Sequence, residues 1–384
     1  MHTVSVVGTR PNFVKMAPVI AQLHEQDPDG RHVLVHTGQH YDPLMSEIFF
    51  EELGVPEPMH RLEAGSGTHA VQTARVMERF EPILEQERPD VVLIPGDVNS
   101  TLSAAVVAAK ACIPLAHVES GLRSFDRTMP EEVNRVVADQ LSQFLFVHSS
   151  EAVANLRAEG IPDERIHFVG NTMIDSLVAV GQRIRELDVQ ARVGVEPGDY
   201  MLVTLHRPAL VDGPKLPIVV DQLNALAREL PVVFPMHPRT RARVEALGLR
   251  TRFHCLEPLG YLDFLALQSS AAGVLTDSGG VQEETTFFGV PCFTLRDNTE
   301  RPVTVRAGTN RLLGLAPERI ADILPALESD ARAAYPPPDG WDGRAAERLV
   351  GELASGLVAT APAPGLAVAV QQALEEEPPE AVAL

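Results

Sequence analysis

Val274-Leu275-Thr276-Asp277-Ser278-Gly279-Gly280-Val281-Gln282-Glu283-Glu284 is the stretch on which the fold turns. A short apolar run stops, Ser-Gly-Gly follows, and from Val281 to Phe288 the apolar spacing becomes helical. Strand, glycine turn and helix in that order form the repeating unit of a parallel α/β sheet. The turn leaves backbone amides free at a helix N-terminus, a geometry that suits a diphosphate. Glu284 falls about one helical turn further on, at a reach for ribose hydroxyls. Arg301 follows the next strand and is placed to pair with the diphosphate or with Glu284.

The same unit recurs outward in both directions. Strands are expected at Met201–Thr204, Val232–Pro235, Phe253–Leu256, Cys292–Leu295 and Arg311–Leu313, with helices at Leu216–Arg228, Tyr261–Ala272 and Pro317–Leu327. Earlier in the chain the strands are Val4–Val7, Val33–Thr37, Val91–Ile94, Leu115–Val118, Phe144–Val147 and Phe168–Val169. Between them lie helical patterns at Lys15–Gln26, Ala70–Gln86, Ser103–Ala111, Glu131–Leu141 and Glu151–Glu159. Two doubly wound parallel sheets follow from this alternation. Gly170-Asn171-Thr172 is the best boundary, giving a first domain at 1–171 and a second at 172–358, closed by a helix at Arg344–Leu357. Residues 359–384 are Ala, Pro, Glu and Val without a usable period and read as a disordered tail. A ligand is expected in the cleft between the domains, at the carboxyl ends of the strands.

Composition narrows the partners. The chain has 384 residues, 45% of them apolar, too many for one ordinary core. With 52 acidic against 32 basic residues the net charge is −20, which disfavours a nucleic-acid partner. Runs such as Val91–Pro95 are too short for a membrane span, and Met1-His2-Thr3-Val4 lacks the basic residue and long apolar stretch of a signal peptide. A cytoplasmic protein with no membrane partner is expected. The three cysteines, Cys112, Cys255 and Cys292, are read as buried free thiols.

Several strands end in chemistry-bearing residues. Val4–Val7 runs into Gly8-Thr9-Arg10-Pro11, and Arg10 with Lys15 makes a basic pair beside a helix start, suited to phosphate or else simply solvated. Val91–Pro95 runs into Gly96-Asp97, where Asp97 is either a helix cap or a catalytic carboxylate. Leu115–Val118 ends at Glu119, a carboxylate poorly explained by packing. Met129-Pro130-Glu131-Glu132 opens another helix, and one of its two acids can face the cleft. Leu202–Leu205 ends in His206-Arg207. Two attractive patterns are discounted. Gly65-Ser66-Gly67-Thr68-His69-Ala70 has no clear strand before it, so it is a poor nicotinamide site. His32, His36 and His40 recur every four residues, but two of them fall on a strand, and no metal is assigned.

Taken together, Gly8-Thr9-Arg10-Pro11 with Lys15-Met16-Ala17-Pro18, Thr37-Gly38-Gln39-His40, His117-Val118-Glu119-Ser120-Gly121-Leu122-Arg123, Met129-Pro130-Glu131-Glu132-Val133-Asn134-Arg135 and Asp277 to Glu284 resemble the non-hydrolysing UDP-N-acetylglucosamine 2-epimerases. Arg296 to Pro302 and Ala307 to Leu312 fit as well, so the likeness covers roughly residues 3–355. The resemblance implies a GT-B-like fold of two Rossmann-like domains, a homodimer, and interconversion of UDP-GlcNAc and UDP-ManNAc without metal or other cofactor. It implies that Asp97, Glu119 and Glu131 are the catalytic carboxylates. It further implies that Arg10, His206, Ser278, Gly279, Gly280, Glu284 and Arg301 hold the UDP, that Phe264 lies near the uracil, and that Lys15 and Arg135 are supporting cations. Pro208-Ala209-Leu210 departs from the Glu-Asn pair usual in the family.

Related readings remain. They are 2-epimerisation of another UDP-acetamido sugar such as a diacetamido uronate, a hydrolysing 2-epimerase, or a GT-B glycosyltransferase. Some bacterial members need UDP-GlcNAc in a second site as well. Here the relevant segment, Tyr41 to Glu47, offers no Arg or long amide to a diphosphate, which predicts turnover of UDP-ManNAc without an activator.

Overall fold

A computed structural model describes residues 1–38, 51–330 and 335–360 of the chain. Two parallel sheets organise it. The first has seven strands in the order β3-β2-β1-β4-β5-β6-β7, with β1 His2–Val7, β2 Arg31–His36, β3 His60–Arg61, β4 Val91–Pro95, β5 Leu115–Val118, β6 Phe144–Val147 and β7 Ile166–Phe168. The second has six in the order β10-β9-β8-β11-β12-β13, with β8 Met201–Thr204, β9 Val232–Pro235, β10 His254–Leu256, β11 Gly273–Thr276, β12 Cys292–Thr294 and β13 Asn310–Leu312. Central strands such as Val91–Pro95 and Phe144–Val147 are buried throughout because helices cover both faces of the sheet. In each sheet the order reverses beside a central strand, between β1 and β4 and between β8 and β11, and a crevice opens there at the carboxyl ends.

Helix boundaries differ from expectation where capping overrides the apolar period. The first helix runs Arg10–Gln26, not from Lys15, because Asn12 reaches back to accept from the Gly8 and Thr9 amides at 3.0 and 3.2 Å and Pro11 suits its first turn. The helix after β11 is Gly279–Phe288, so both glycines lie in its first turn. A helix at Thr172–Glu186 was not expected. Asn171 caps it by accepting from the Met173 amide at 3.0 Å. It is a spine between the lobes, packed on Arg10–Gln26 from the first and on Tyr261–Ser269 and Gly279–Phe288 from the second.

The last helix, Ala345–Thr360, packs on the first lobe. It follows the second sheet in sequence, yet its Ala346, Leu349, Val350 and Leu353 pack with Phe13, Met16, Leu23, Phe144 and Phe146 of the first lobe. Within the expected 172–358 stretch, this helix shares its core with residues of 1–169. Asp175 secures the return, accepting from the Ala345 and Ala346 amides at 3.1 and 2.7 Å. The tail expected beyond 359 lies outside the described residues from 361 on, as do Gln39, His40 and the segment Tyr41 to Glu47.

Other expectations shift in detail. A two-residue strand, β3, does precede the Gly65 loop, and Arg75 and Arg79 donate to the carbonyls of Leu62, Glu63, Ala64 and Ser66. His32 is structural, with Nδ1 3.0 Å from Thr3 Oγ1 and Nε2 3.0 Å from the Asp27 carbonyl. All three cysteines are free, but only Cys292 is buried; Cys112 is exposed in a left-handed turn. Among the described residues no helix is long and apolar enough to cross a membrane.

Candidate active site

Glu119 leaves β5 with φ +68°, a left-handed conformation that costs a non-glycine residue about 1–3 kcal/mol. The turn aims its carboxylate into the cleft between the lobes. There it pairs with Lys15 Nζ and accepts from Arg301 Nη2 at 2.9 Å. Gly96 lines the same space: a Cβ there would lie 2.9 Å from Lys15 Nζ and 3.4 Å from Glu119 Oε2. Burial alone would raise the Glu119 pKa, but Lys15, Arg301 and His148 outweigh it and hold the group below the ordinary carboxylate range. Behind it, His117 is satisfied on both nitrogens, by Asp139 Oδ1 at 2.6 Å and the Gly96 carbonyl at 2.7 Å, which ties the β4 and β5 exits together.

Asp97 pairs with Arg135 and remains about one-fifth exposed. Of the two acids at 131 and 132, Glu132 turns inward. It accepts from the Ser124 and Phe125 amides, both at 2.9 Å, and from Arg135 Nη1 at 2.8 Å, so it braces the loop and the guanidinium. Glu131 instead lines a cavity of about 340 Å3 with Thr9, His69, Asp97, Asn99 and Asn134. No basic group stands within ion-pair distance of Glu131 among the described residues.

The second lobe supplies the opposite wall. Asp277, buried at the end of β11, accepts from the His206 and Arg207 amides at 2.9 and 2.8 Å and lies 3.0 Å from His206 Nδ1. This fixes the loop after β8 and leaves the His206 ring half exposed. Ser278 stands at the N-cap of helix Gly279–Phe288 with its hydroxyl making no capping bond, and a Cβ on Gly279 would sit 2.4 Å from Arg301 Nη1 and displace the guanidinium. Arg301 departs from expectation. Its Nε donates to Glu283 Oε2 at 2.6 Å, and Nη1 reaches Glu300 at 3.4 Å, so its partners are Glu283, Glu119 and Glu300 and not Glu284. Burial would lower its pKa, but those three carboxylates together raise it. Glu284 takes another role. It accepts from Tyr261 OH at 3.2 Å, and Arg10 lies 5.5 Å over the Tyr261 ring. Burial pushes the Glu284 carboxyl up to about 7 against the pull of Arg10 and the Tyr261 hydroxyl. Phe264 sits on the same helix as Tyr261, partly buried against the second-lobe core.

Three strand exits of the first lobe and one helix start thus bring Arg10, Lys15, Asp97, Glu119, Glu131 and Arg135 to one side of a cleft. From the second lobe Arg301 meets Glu119, Glu284 lies buried beside Tyr261, and His206, Ser278, Gly279 and Gly280 follow the carboxyl ends of β8 and β11. Carboxylates on one wall and a helix N-terminus with cations on the other form an arrangement for a sugar carrying a diphosphate. The sequence pattern of the UDP-N-acetylglucosamine 2-epimerases matches residues 22–354.

The chain belongs to that family. The UDP-N-acetylglucosamine 2-epimerase of Methanocaldococcus jannaschii is 41% identical over 358 residues, covering 90% of this chain and 96% of that one. The UDP-2,3-diacetamido-2,3-dideoxy-D-glucuronate 2-epimerase of Pseudomonas aeruginosa is 42% identical over 327 residues, covering 84% and 91%. The crystal structure of the Methanocaldococcus jannaschii enzyme in complex with UDP-GlcNAc and UDP superposes with a TM-score of 0.84 at 40% identity, covering 92% of this chain and all of that one. The epimerase is therefore GT-B-like, two Rossmann-like domains with the cleft between them.

Sequence reasoning missed Tyr261, Glu283, Glu300 and His148 in this epimerase. Glu283 and Glu284 are adjacent acids on one helix, and no periodic signal tells which meets Arg301. Glu119, His148 and Glu283 offer ligand atoms within 4.8 Å of one another. Lys15 and Arg301 already hold those carboxylates and would repel a divalent cation, so the three residues do not suit one.

Proposed function

We propose that this epimerase interconverts UDP-GlcNAc and UDP-ManNAc by elimination and re-addition of UDP. The C2 proton of the sugar is not acidified by a neighbouring carbonyl, so direct abstraction is very hard. If the C1–O bond to UDP breaks first, positive charge develops at C1 and the C2–H becomes acidic. Loss of that proton leaves a 2-acetamidoglucal. Protonation of C2 on the opposite face and return of UDP to C1 complete the inversion. The observation that carries this reading is the division of labour in the cleft: three carboxylates at first-lobe element ends against Arg301, His206 and the Ser278–Gly280 helix start of the second lobe, with Arg10 reaching toward Glu284 from the first. Glu119, held ionised by Lys15 and Arg301, is suited to stabilise positive charge at the ring. Glu131, with no ion-pair partner among the described residues and beside a cavity, is suited to carry the proton. Asp97, fixed by Arg135, completes the set. Glu284 would accept from the ribose hydroxyls, and Phe264 would flank the uracil.

The same reading makes the enzyme a cytoplasmic homodimer that feeds polysaccharide biosynthesis and needs no metal or nicotinamide. A second substrate is favoured by the Pseudomonas aeruginosa relative, whose identity to this chain matches that of the archaeal epimerase. The test is incubation in deuterated water with UDP-GlcNAc, and separately with the UDP-diacetamido uronate. The expected result is a C2 epimer of UDP-GlcNAc carrying deuterium at C2. A product retaining full protium there would sink the elimination route. Epimerisation of the uronate alone would transfer the reading to that substrate.

A further inference from the structure

His148 stands immediately after β6, 2% exposed, between the two lobes. Neither ring nitrogen has a hydrogen-bond partner of good geometry among the described residues, although Nε2 lies 3.3 Å from Glu283 Oε1. Buried polar side chains are almost always satisfied, and His117 on the neighbouring strand is satisfied on both nitrogens. An apolar residue against Trp341, which packs edge-on to the His148 ring at 6.1 Å, would avoid the desolvation penalty. A small cavity of about 10 Å3 lined by Lys15, Glu119, His148 and Asn171 adjoins the ring.

The groups facing the ring are Glu119 from β5, Lys15 from the first helix, and Glu283 with Arg301 from the second lobe. They form a continuous path. His148 Nε2 approaches Glu283 Oε1, which also accepts from Asn171 Nδ2 at 3.0 Å at the inter-lobe connection. Glu283 Oε2 accepts from Arg301 Nε at 2.6 Å, and Arg301 Nη2 donates to Glu119 Oε1 at 2.9 Å. The path leaves the first lobe at His148, crosses the second at Glu283 and Arg301, and returns at Glu119. We propose that His148 is a positioning residue for the reaction, holding Glu283 and through it the Arg301 guanidinium against Glu119. It makes no contact with substrate itself; its effect is to register the carboxylate of one wall against the cation of the other. The inference rests on the epimerase reading above.

The test is a double-mutant cycle of His148→Phe and Glu283→Gln, with His148→Gln as the conservative variant, because its amide reaches about as far as Nε2. Initial rates with UDP-GlcNAc and melting temperatures are measured on all variants. His148→Phe is expected to lower kcat about tenfold with KM moved less than about threefold, since UDP keeps its other holds. His148→Gln should recover most of the loss. The double variant should be no slower than Glu283→Gln alone, because both changes interrupt one path. Independent losses that multiply in the double variant, an unchanged kcat in His148→Phe, or a glutamine no better than phenylalanine would overturn the proposal. So would unfolding of both His148 variants, which would make the ring part of the core. A wild type that epimerises neither UDP-acetamido sugar would instead retire the functional reading, and this inference with it.

Discussion

Glu284 sits where an ionised carboxyl is costly. Burial raises it to about 7 from an ordinary 4.5, so the free enzyme holds it protonated at mildly acid pH. The folded state then binds a proton that the unfolded chain releases. The contribution to stability is full below about 4.5 and falls away as pH rises through about 7. UDP binding has the opposite sign, because a carboxylate accepts two ribose hydroxyls better than a neutral acid does. UDP affinity should therefore rise between pH 6 and pH 8, with a proton released, and Glu284→Gln should flatten the rise. Calorimetry in buffers of different ionisation enthalpy checks both. Glu119 and Glu131 are distinguished by their partners. Glu119→Gln leaves Lys15 and Arg301 facing a neutral amide, and Glu131→Gln removes the acid beside the cavity. Each should lower turnover about 10²-fold or more while UDP binding stays measurable. Near-normal kcat in either variant would remove that residue from the catalytic set.

Helix ends do much of the assembly at the next scale. Asp175, on Thr172–Glu186, accepts from the first two amides of Ala345–Thr360 and so joins the connecting spine to the returning helix. Asp175→Ala should destabilise the fold by about 1–2 kcal/mol, whereas Asp175→Asn, whose single oxygen keeps one of the two amide bonds, should cost less. Denaturant titration of the three proteins separates these outcomes, and equal losses would show that capping is not what Asp175 contributes. The cap at Asn171 has a double duty. Its oxygen holds the Met173 amide and its nitrogen holds Glu283, so the start of the spine is tied to the cation cluster of the cleft.

At the scale of the molecule, the two lobes are joined twice by the chain, once at Gly170 to Thr172 and again before Ala345. The second crossing returns a helix whose Leu349, Val350 and Leu353 are fully buried in the first lobe. Removing residues 361–384 should leave turnover unchanged, because every side chain named in the cleft and cores lies before them. Removing residues from 345 onward should abolish cooperative folding, since it strips apolar surface from helix Arg10–Gln26 and with it the support of Arg10 and Lys15. Circular dichroism melts and rate assays on the two truncations test this, and a folded, active 1–344 fragment would contradict the returning helix.

The parallel sheets were legible along the chain, because a strand buried on both faces must be continuously apolar and must be followed by a helix. Val91–Pro95 and Phe144–Val147 could hardly be anything else. The strand exits were legible for the same reason: Glu119 and Asp97 sit where the apolar run stops, and such ends face the crevice. What lay beyond one-dimensional reading is choice among equivalents. Glu131 against Glu132, and Glu283 against Glu284, differ only in which way a helix start is turned, and that is decided by Arg135 one turn along the same helix and by Ser124, Asn171 and Arg301 arriving from elsewhere. The capture of Ala345–Thr360 by the first lobe is of the same kind, since an amphipathic helix carries its apolar face in its sequence but not the address of the surface that buries it. His148 carries no periodic signal at all. Its setting exists only where β6, the Gly279–Phe288 helix and Trp341 meet, because burial and charge are properties of neighbours brought together by folding.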